Sequence, residues 1–546
     1  MPSLFIFDDN SGSIMITESL ALLNGRIWTV DKEKPWANAI FIRGDKIAAV
    51  GSNSEIREQV TKETRVIDLD GAFAMPGFND AHVDFYRGAV SLQSVKLGDA
   101  EDEQDFAARI RGYVQQIPPG EWVTEGNWNH ENWESQRLPR KELIDPFTQS
   151  HPVIVCRMDE HISLANSLAL ELAGITEDTP NPAGGEIRKD PETGEPTGIL
   201  VDTAQELVLS VIPEPEPDNY EAIIKQGMRH AASLGITSIQ DNTTGSTLRI
   251  FQKLLRKNEL TLKVNAWRPV RLLQQMKDIG MQAAFGNDMI RLGVMKIFAD
   301  GSMGAGSALF FDQYTDDPST SGIAIYSEEE LTALIVQIDR AGLQVSVHAI
   351  GDKANHWALN AFQKARENNP DIKNRRHRIE HAQVVTPEDL LRFRELDIVG
   401  SVQPSHCIDD MKWAEKRIGE RVKQAFLWDS FLKNKVQLAF GTDWPVAPLN
   451  PFVTLYAAVA RRPIQGEPES SWFEDEKLSL EHAIECYTLG SAYAEFAENV
   501  KGSLERGKYA DIVVLSQNPF QIEPKKLLNT DVLYTIVNGK IIYHEA

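Results

Sequence analysis

Eight short apolar runs, each ending in polar or ionisable residues, punctuate the chain between residues 72 and 445. In order they are AFAMPGFNDAHVD, GITSIQDN, LKVNAWRPV, IRLGVMKIFADGS, LQVSVHAIGD, RRHRIEHAQ, IVGSVQPSH and VQLAFGTDWP. Helical patterns lie between them, among them YEAIIKQGMRHAASL, EELTALIVQIDRAG, HWALNAFQKARENN and PEDLLRFREL. Strand alternating with helix predicts a parallel α/β architecture. Eight such units are what a (β/α)8 TIM barrel requires, and in that fold residues at the carboxyl ends of the strands face the mouth.

The two ends of the chain read differently. LALLNGRIWTV and AIFIRGDKIAAVG predict short strands joined by Asn-Gly and Gly-Asp turns, with no helix before SNSEIREQ. KYADIVVLS and VLYTIVNGKIIY repeat that character, down to a second Asn-Gly at Asn538-Gly539. Both ends are therefore expected to build one small β-sandwich-like domain from residues 1–74 and 497–546, with residues 75–496 as the barrel. The interval from about 92 to 220, which includes EGNWNHENWESQRLPR, is too long for a loop and reads as a subdomain inserted after the first barrel strand.

Composition adds limits. With 42% hydrophobic and 25% charged residues in 546, the chain can bury a large core. The formal charge of −23 argues against nucleic acid or an anionic membrane as partner. MPSLFIFDDN lacks a basic region followed by an apolar core, and no apolar run reaches the roughly 18 residues that span a bilayer, so a cytoplasmic location is expected. Three scattered cysteines, Cys156, Cys407 and Cys486, fit reduced thiols better than a disulfide framework. The oligomeric state stays open, and a homodimer is compatible with everything above.

The chemistry gathers at the strand ends. His348 ends QVSV, His381 ends the next run, Asp443 follows VQLAF on the eighth strand, and His82 ends the first. A closed barrel brings these together, and N, N and O donors suit Zn²⁺ or a similar divalent ion. Lys296 points inward if Met295 and Ile297 point toward the helices, and an unpaired lysine inside a barrel is costly. It either pairs with Asp300 or a substrate carboxylate, or is carbamylated by CO₂ into a carboxylate that bridges two cations.

The motifs NGRIWTV, MPGFNDAHVD, HPVIVCRMDEHISLANSLAL, PAGGEIRKDPETGEPTGILVDTA, MKIFADGSMG, VSVHAIGD, HRIEHAQ, VQPSHCIDDMKWAEKRIG, FGTDWPV and GSLERGKYADIVVL, in this order, resemble the amidohydrolase superfamily. Within it the likeness is to the YtcJ-like group with the N-substituted formamide deformylases. The resemblance implies His82 as a ligand of a first metal, carbamylated Lys296 as a bridge, His348 and His381 as ligands of a second, and Asp443 as first-metal ligand and proton shuttle. It also implies hydrolysis of a non-peptide carbon–nitrogen bond of a small molecule, of the formamide, cyclic amide or carbamate type. Where the superfamily has His-x-His, this chain has His82-Val83-Asp84. Three readings stay open: Asp84 is an alternative ligand in a two-metal site, the first site is weakened and one ion remains, or the site is catalytically degenerate. Substrate contacts are expected from His406, His161 and Trp444; for Trp128 and Trp133 buried core is favoured over lining a pocket, and His130 is read as a surface residue. Alternatives are hydrolysis of another bond, metal-assisted decarboxylation, or a noncatalytic metal-binding regulatory protein.

Overall fold

The structure, a computed structural model, describes residues 19–213, 216–465 and 470–545; the MPSLFIFDDN start lies outside the described residues. All eight expected strands form. They are β1 (Phe78–Val83), β2 (Ile236–Asp241), β3 (Lys263–Pro269), β4 (Ile290–Phe298), β5 (Gln344–Ala349), β6 (Arg378–His381), β7 (Val399–Val402) and β8 (Leu438–Phe440). Each pairs in parallel with its sequence neighbours. The result is a nearly closed (β/α)8 barrel.

The seam between β8 and β1 is closed by a short bridge instead of a full ladder. Val83 bridges Trp444, the Asp84 N–H donates to the Trp444 carbonyl at 2.8 Å, and the Asp443 N–H donates to the His82 carbonyl at 2.7 Å. Asp80 locks the seam from inside, accepting from the Thr442 N–H at 3.0 Å and from the Thr442 and Tyr487 hydroxyls at 2.7 and 3.0 Å. A Cβ at Gly441 would lie 2.6 Å from the His82 nitrogen, so the GTD glycine is what lets these two strands approach.

Strand alternation separates barrel interior from helix-facing core. On β4, Met295 and Ile297 join the main apolar core while Lys296 turns inward, buried. The helix Pro217–Ser233 buries Tyr220, Ile224, Met228 and Ala231, a stripe at spacings of three and four. The helix Glu328–Arg340 begins with a complete capping box between Ser327 and Glu330.

Between β1 and β2 the chain builds a sheet of five strands, ordered Gly185–Lys189, Pro196–Asp202, Ile162–Ala165, Val153–Arg157 and Val123–Trp128. Its own core includes Phe106, Ile110, Trp128 and Trp133. The chain ends meet in another sheet, where Phe73–Pro76 pairs antiparallel with Ile512–Leu515. The hairpin of Val532–Val537 and Lys540–His544 turns at Asn538 and Gly539, both at positive φ (49° and 74°), the backbone that Asn-Gly turns favour. Among the described residues no helix is long and apolar enough to cross a membrane.

Candidate metal centre at the barrel mouth

Asp80, His82 and Asp84 alternate along the end of β1 and so share its inner face. On β6, strict alternation would send Glu380 and His381 to opposite faces. His381 and the following Ala382 instead have positive φ (70° and 42°), which turns the strand end so that both side chains approach His82. Asp443 is likewise held at φ 60°. Non-glycine residues in this region cost energy, and here they sit where three strands aim side chains at one point.

That point is well defined. His82, His381 and Asp443 each offer a ligand atom within 4.8 Å of the others. Lys296 Nζ is 3.0 Å from His82 Nε2, and Asp443 Oδ1 is 3.6 Å from the same nitrogen. His381 Nδ1 is buried without a hydrogen-bond partner. Two imidazoles and a carboxylate, one with an orphaned nitrogen, fit a divalent ion of the zinc type. His348 stands beside this trio, its ring 4.4 Å from that of His381. Its Nε2 faces the Gly301 carbonyl at 3.2 Å, so Nε2 carries the proton and Nδ1 keeps the lone pair.

Glu380, which the motif reading passed over, orients the first histidine. Its carboxylate lies 3.3 Å from His82 Nδ1 and accepts from Ser346 at 2.8 Å and from Arg378 Nε at 2.5 Å. A carboxylate behind a histidine fixes the tautomer that leaves Nε2 free as a ligand. The only sequence signal for it was its place beside His381 in RIEH. Asp300 does not pair with Lys296. It accepts from the backbone of Leu309, Ile350 and Gly351 at 2.9, 3.1 and 2.9 Å and stands 3.6 Å from His348 Nε2.

Burial dominates the electrostatics. It holds His82, His348 and His381 well below the usual imidazole range, with Lys296 adding repulsion in all three, so each is neutral and able to ligate. Burial, then repulsion from Asp84, pushes the Asp443 carboxyl up to about 7. Burial lowers the Lys296 ammonium against the pull of Glu380, Asp443 and Asp84.

The mouth opens into a small cavity lined by His161, His348, His381, His406 and Asp443, with Arg157, Asp159, Asp409, Asp410 and Trp413 beyond. His161 reaches in from the inserted sheet, its Nδ1 2.5 Å from Asp202. Although burial works the other way, that contact raises its pKa. His406 sits with Nε2 unpartnered, 4.0 Å from Asp443 Oδ2, and burial lowers it to about 4.

Two expectations need correction. Trp444 does not line the cavity: its ring packs against Phe85, and a Cβ on Gly88 would come within 2.2 Å of it, because residue 444 follows the turn at Asp443 and points back over β1. Trp128 and Trp133 fill the core of the inserted sheet, the reading favoured for them from the sequence. His130 is buried rather than at the surface, with Nδ1 3.4 Å from Arg157 Nε, and burial lowers it to about 3. Asp84 lies close enough to raise Asp443 but is not one of the three converging ligands.

Comparison with known proteins agrees with this architecture. Protein LONG AFTER FAR-RED 3 of Arabidopsis thaliana is 34% identical over 97% of this chain and 92% of its own. The N-substituted formamide deformylase of Arthrobacter pascens is 27% identical over 96% of this chain and 98% of its own. The crystal structure of an uncharacterized metal-dependent hydrolase from Pyrococcus furiosus superposes with a TM-score of 0.72 and 30% identity, covering 92% of this chain and all of that one. The family profile described as "Amidohydrolase family" matches residues 65–543, most of the chain, and the protein belongs to that family.

Proposed function

We propose that the protein is a metal-dependent hydrolase of a non-peptide carbon–nitrogen bond in a small molecule, of the formamide, cyclic amide or carbamate type. The observation that carries this reading is the convergence of His82, His381 and Asp443 at the barrel mouth, beside a cavity that His381 and Asp443 also line. The Arthrobacter relative, named as a formamide deformylase, supports the choice of bond, and the Pyrococcus structure, titled a metal-dependent hydrolase, supports the choice of chemistry. Zn²⁺ suits the donors, as one ion or two, and a pair would call for Lys296 carbamylated as the bridge. A divalent ion in this place supplies Lewis acidity, which polarises a carbonyl and makes water acidic enough to attack at neutral pH.

The chain's own groups supply the rest. Asp443, with a carboxyl near 7, can accept a proton from the attacking water at Oδ and pass it to the leaving nitrogen. His161 keeps its proton through Asp202 and is placed to donate to oxygen as charge develops there. His406, neutral and unpartnered at Nε2, can accept a substrate N–H. Lys296 and Glu380 hold His82 between them. The substrate works in a small space bounded by side chains from both barrel and insertion, with no nucleic acid or membrane involved.

The test is Asp443→Asn assayed on N-substituted formamides, cyclic amides and carbamates. Turnover should fall roughly 10²–10⁴-fold with far-UV circular dichroism unchanged. Full activity in that variant would sink the mechanism. The same panel run on esters separates amide from ester hydrolysis. A protein that binds metal yet turns over nothing would favour the noncatalytic reading that Asp84 raises.

A further inference from the structure

The helix Pro404–Asp410 follows β7, and His406, Asp409 and Asp410 from it line the cavity. Spacings of three and four put Asp409 and Asp410 on the face that carries His406, which stands 4.0 Å from Asp443. One face therefore carries a side chain beside the candidate ligands and, a turn further on, a pair of carboxylates. Gln383, two residues past His381, donates to Asp410 Oδ2 at 2.6 Å and ties the pair to the strand end that bears the ligand. The other carboxylate of this wall, Asp159, is already matched, since Arg157 meets it at 2.7 Å and Ser302 donates to it. Asp409 and Asp410 are not. Among the described residues no basic side chain forms an ion pair with either, and no donor reaches Asp409. Burial raises both carboxyls, and repulsion from Asp409 adds to it at Asp410, so a cation brought to the pair relieves what the fold leaves uncompensated.

Trp413 supplies an independent sign of a ligand. It lines the same cavity, is 8% exposed, and its backbone N–H donates to the Asp410 carbonyl at 3.0 Å, which fixes it beside the pair. Its indole N–H is buried with no acceptor among the described residues. A buried donor without an acceptor is costly, and in a cavity wall a ligand can recover that cost. The pair is not a second metal centre, because among the described residues the group of three or more donors able to hold an ion is His82, His381 and Asp443. Two carboxylates beside an indole suit an organic ammonium.

We propose that Asp409, Asp410 and Trp413 form a subsite for a protonated amine, so that the substrate is a compact amide or carbamate with a cationic amino group a few bonds from the scissile carbon–nitrogen bond. This rests on the hydrolase reading above, which supplies the reaction at the ligand end of the cavity. The ammonium donates to the two carboxylates, and the indole N–H meets an acceptor that the ligand brings, its own or a water of its hydration shell. The formal charge of −23 works in the same direction by drawing cations toward the protein. Asp409 and Asp410 thus determine specificity, while bond breaking stays with the metal centre and Asp443.

The test uses zinc-loaded protein at neutral pH and two pairs of probes matched in shape. Binding is read by calorimetry with n-butylammonium and n-butanol, and turnover with N-(3-aminopropyl)formamide and N-butylformamide. Wild-type protein should bind the ammonium roughly 10–100-fold more tightly than the alcohol, and Asp409→Asn and Asp410→Asn should each lower that preference. Asp409→Asn breaks no hydrogen bond among the described residues, so it reads the site even if Asp410→Asn does not fold. Equal binding of the two probes by wild-type protein would overturn the proposal, as would an undiminished preference in folded Asp409→Asn. In turnover, kcat/KM should favour the aminopropyl formamide by a similar factor. A neutral formamide hydrolysed as fast or faster would overturn the subsite and leave the hydrolase reading standing. Selective, Asp409-dependent binding of the ammonium without turnover of any amide or carbamate would uphold the subsite and count against the hydrolase reading.

Discussion

At the scale of single residues, the candidate ligand His82 has a partner that fixes it, since Glu380 faces its Nδ1 at 3.3 Å from a fully buried position. Glu380→Gln removes the charge but keeps the shape, and should weaken zinc binding roughly 10–100-fold, read by competition with a chelating dye. Unchanged affinity would show that Arg378 and Ser346 hold Glu380 for packing alone. His82, His348, His381, Asp443 and Lys296 were legible in the sequence because each ends an apolar run or interrupts one. Glu380 was not, because its approach to His82 depends on a left-handed strand end at His381.

At the scale of elements, the eight strands were readable because a parallel barrel strand is buried on both faces and leaves a near-continuous apolar run. The packing that follows β8 was not, which is why Trp444 was misplaced. Its ring fills the space over Gly88, in the helix that follows β1, and that contact holds the seam carrying both His82 and Asp443. Gly88→Ala would set a methyl group within 2.2 Å of the Trp444 ring. The variant should lose roughly 1–3 kcal/mol of stability in urea unfolding. Wild-type stability would mean that the tryptophan can move aside. The seam also explains Asp80, whose four hydrogen bonds join β1, Thr442 and Tyr487 and whose carboxyl burial raises to about 6.

At the scale of the whole molecule, several carboxyls are buried in a protein that carries a formal charge of −23. Burial pushes Asp241, Asp300 and Asp443 up to about 7 from an unfolded value of 3.8. A carboxyl raised in this way adds stability that is full below 3.8 and is lost as pH rises through about 7. The buried histidines shift the opposite way, and their contribution rises with pH only until the unfolded imidazole, centred on 6.5, has lost its proton, so it offsets part of the carboxyl loss just above that value. Metal-stripped protein should therefore melt at a lower temperature at about pH 8 than at about pH 6.5, and Asp443→Asn should flatten part of that slope. A melting temperature that is constant or rises over that interval would show that these carboxyls ionise without cost.

On the reading proposed above, turnover belongs to an ion held by His82, His381 and Asp443. The most direct test is to strip the protein with chelator, restore Zn²⁺ in substoichiometric steps, and follow amide hydrolysis against bound ion. Turnover should be absent without the ion and grow in proportion to occupancy of that centre; an undiminished rate in ion-free protein would overturn the hydrolase reading.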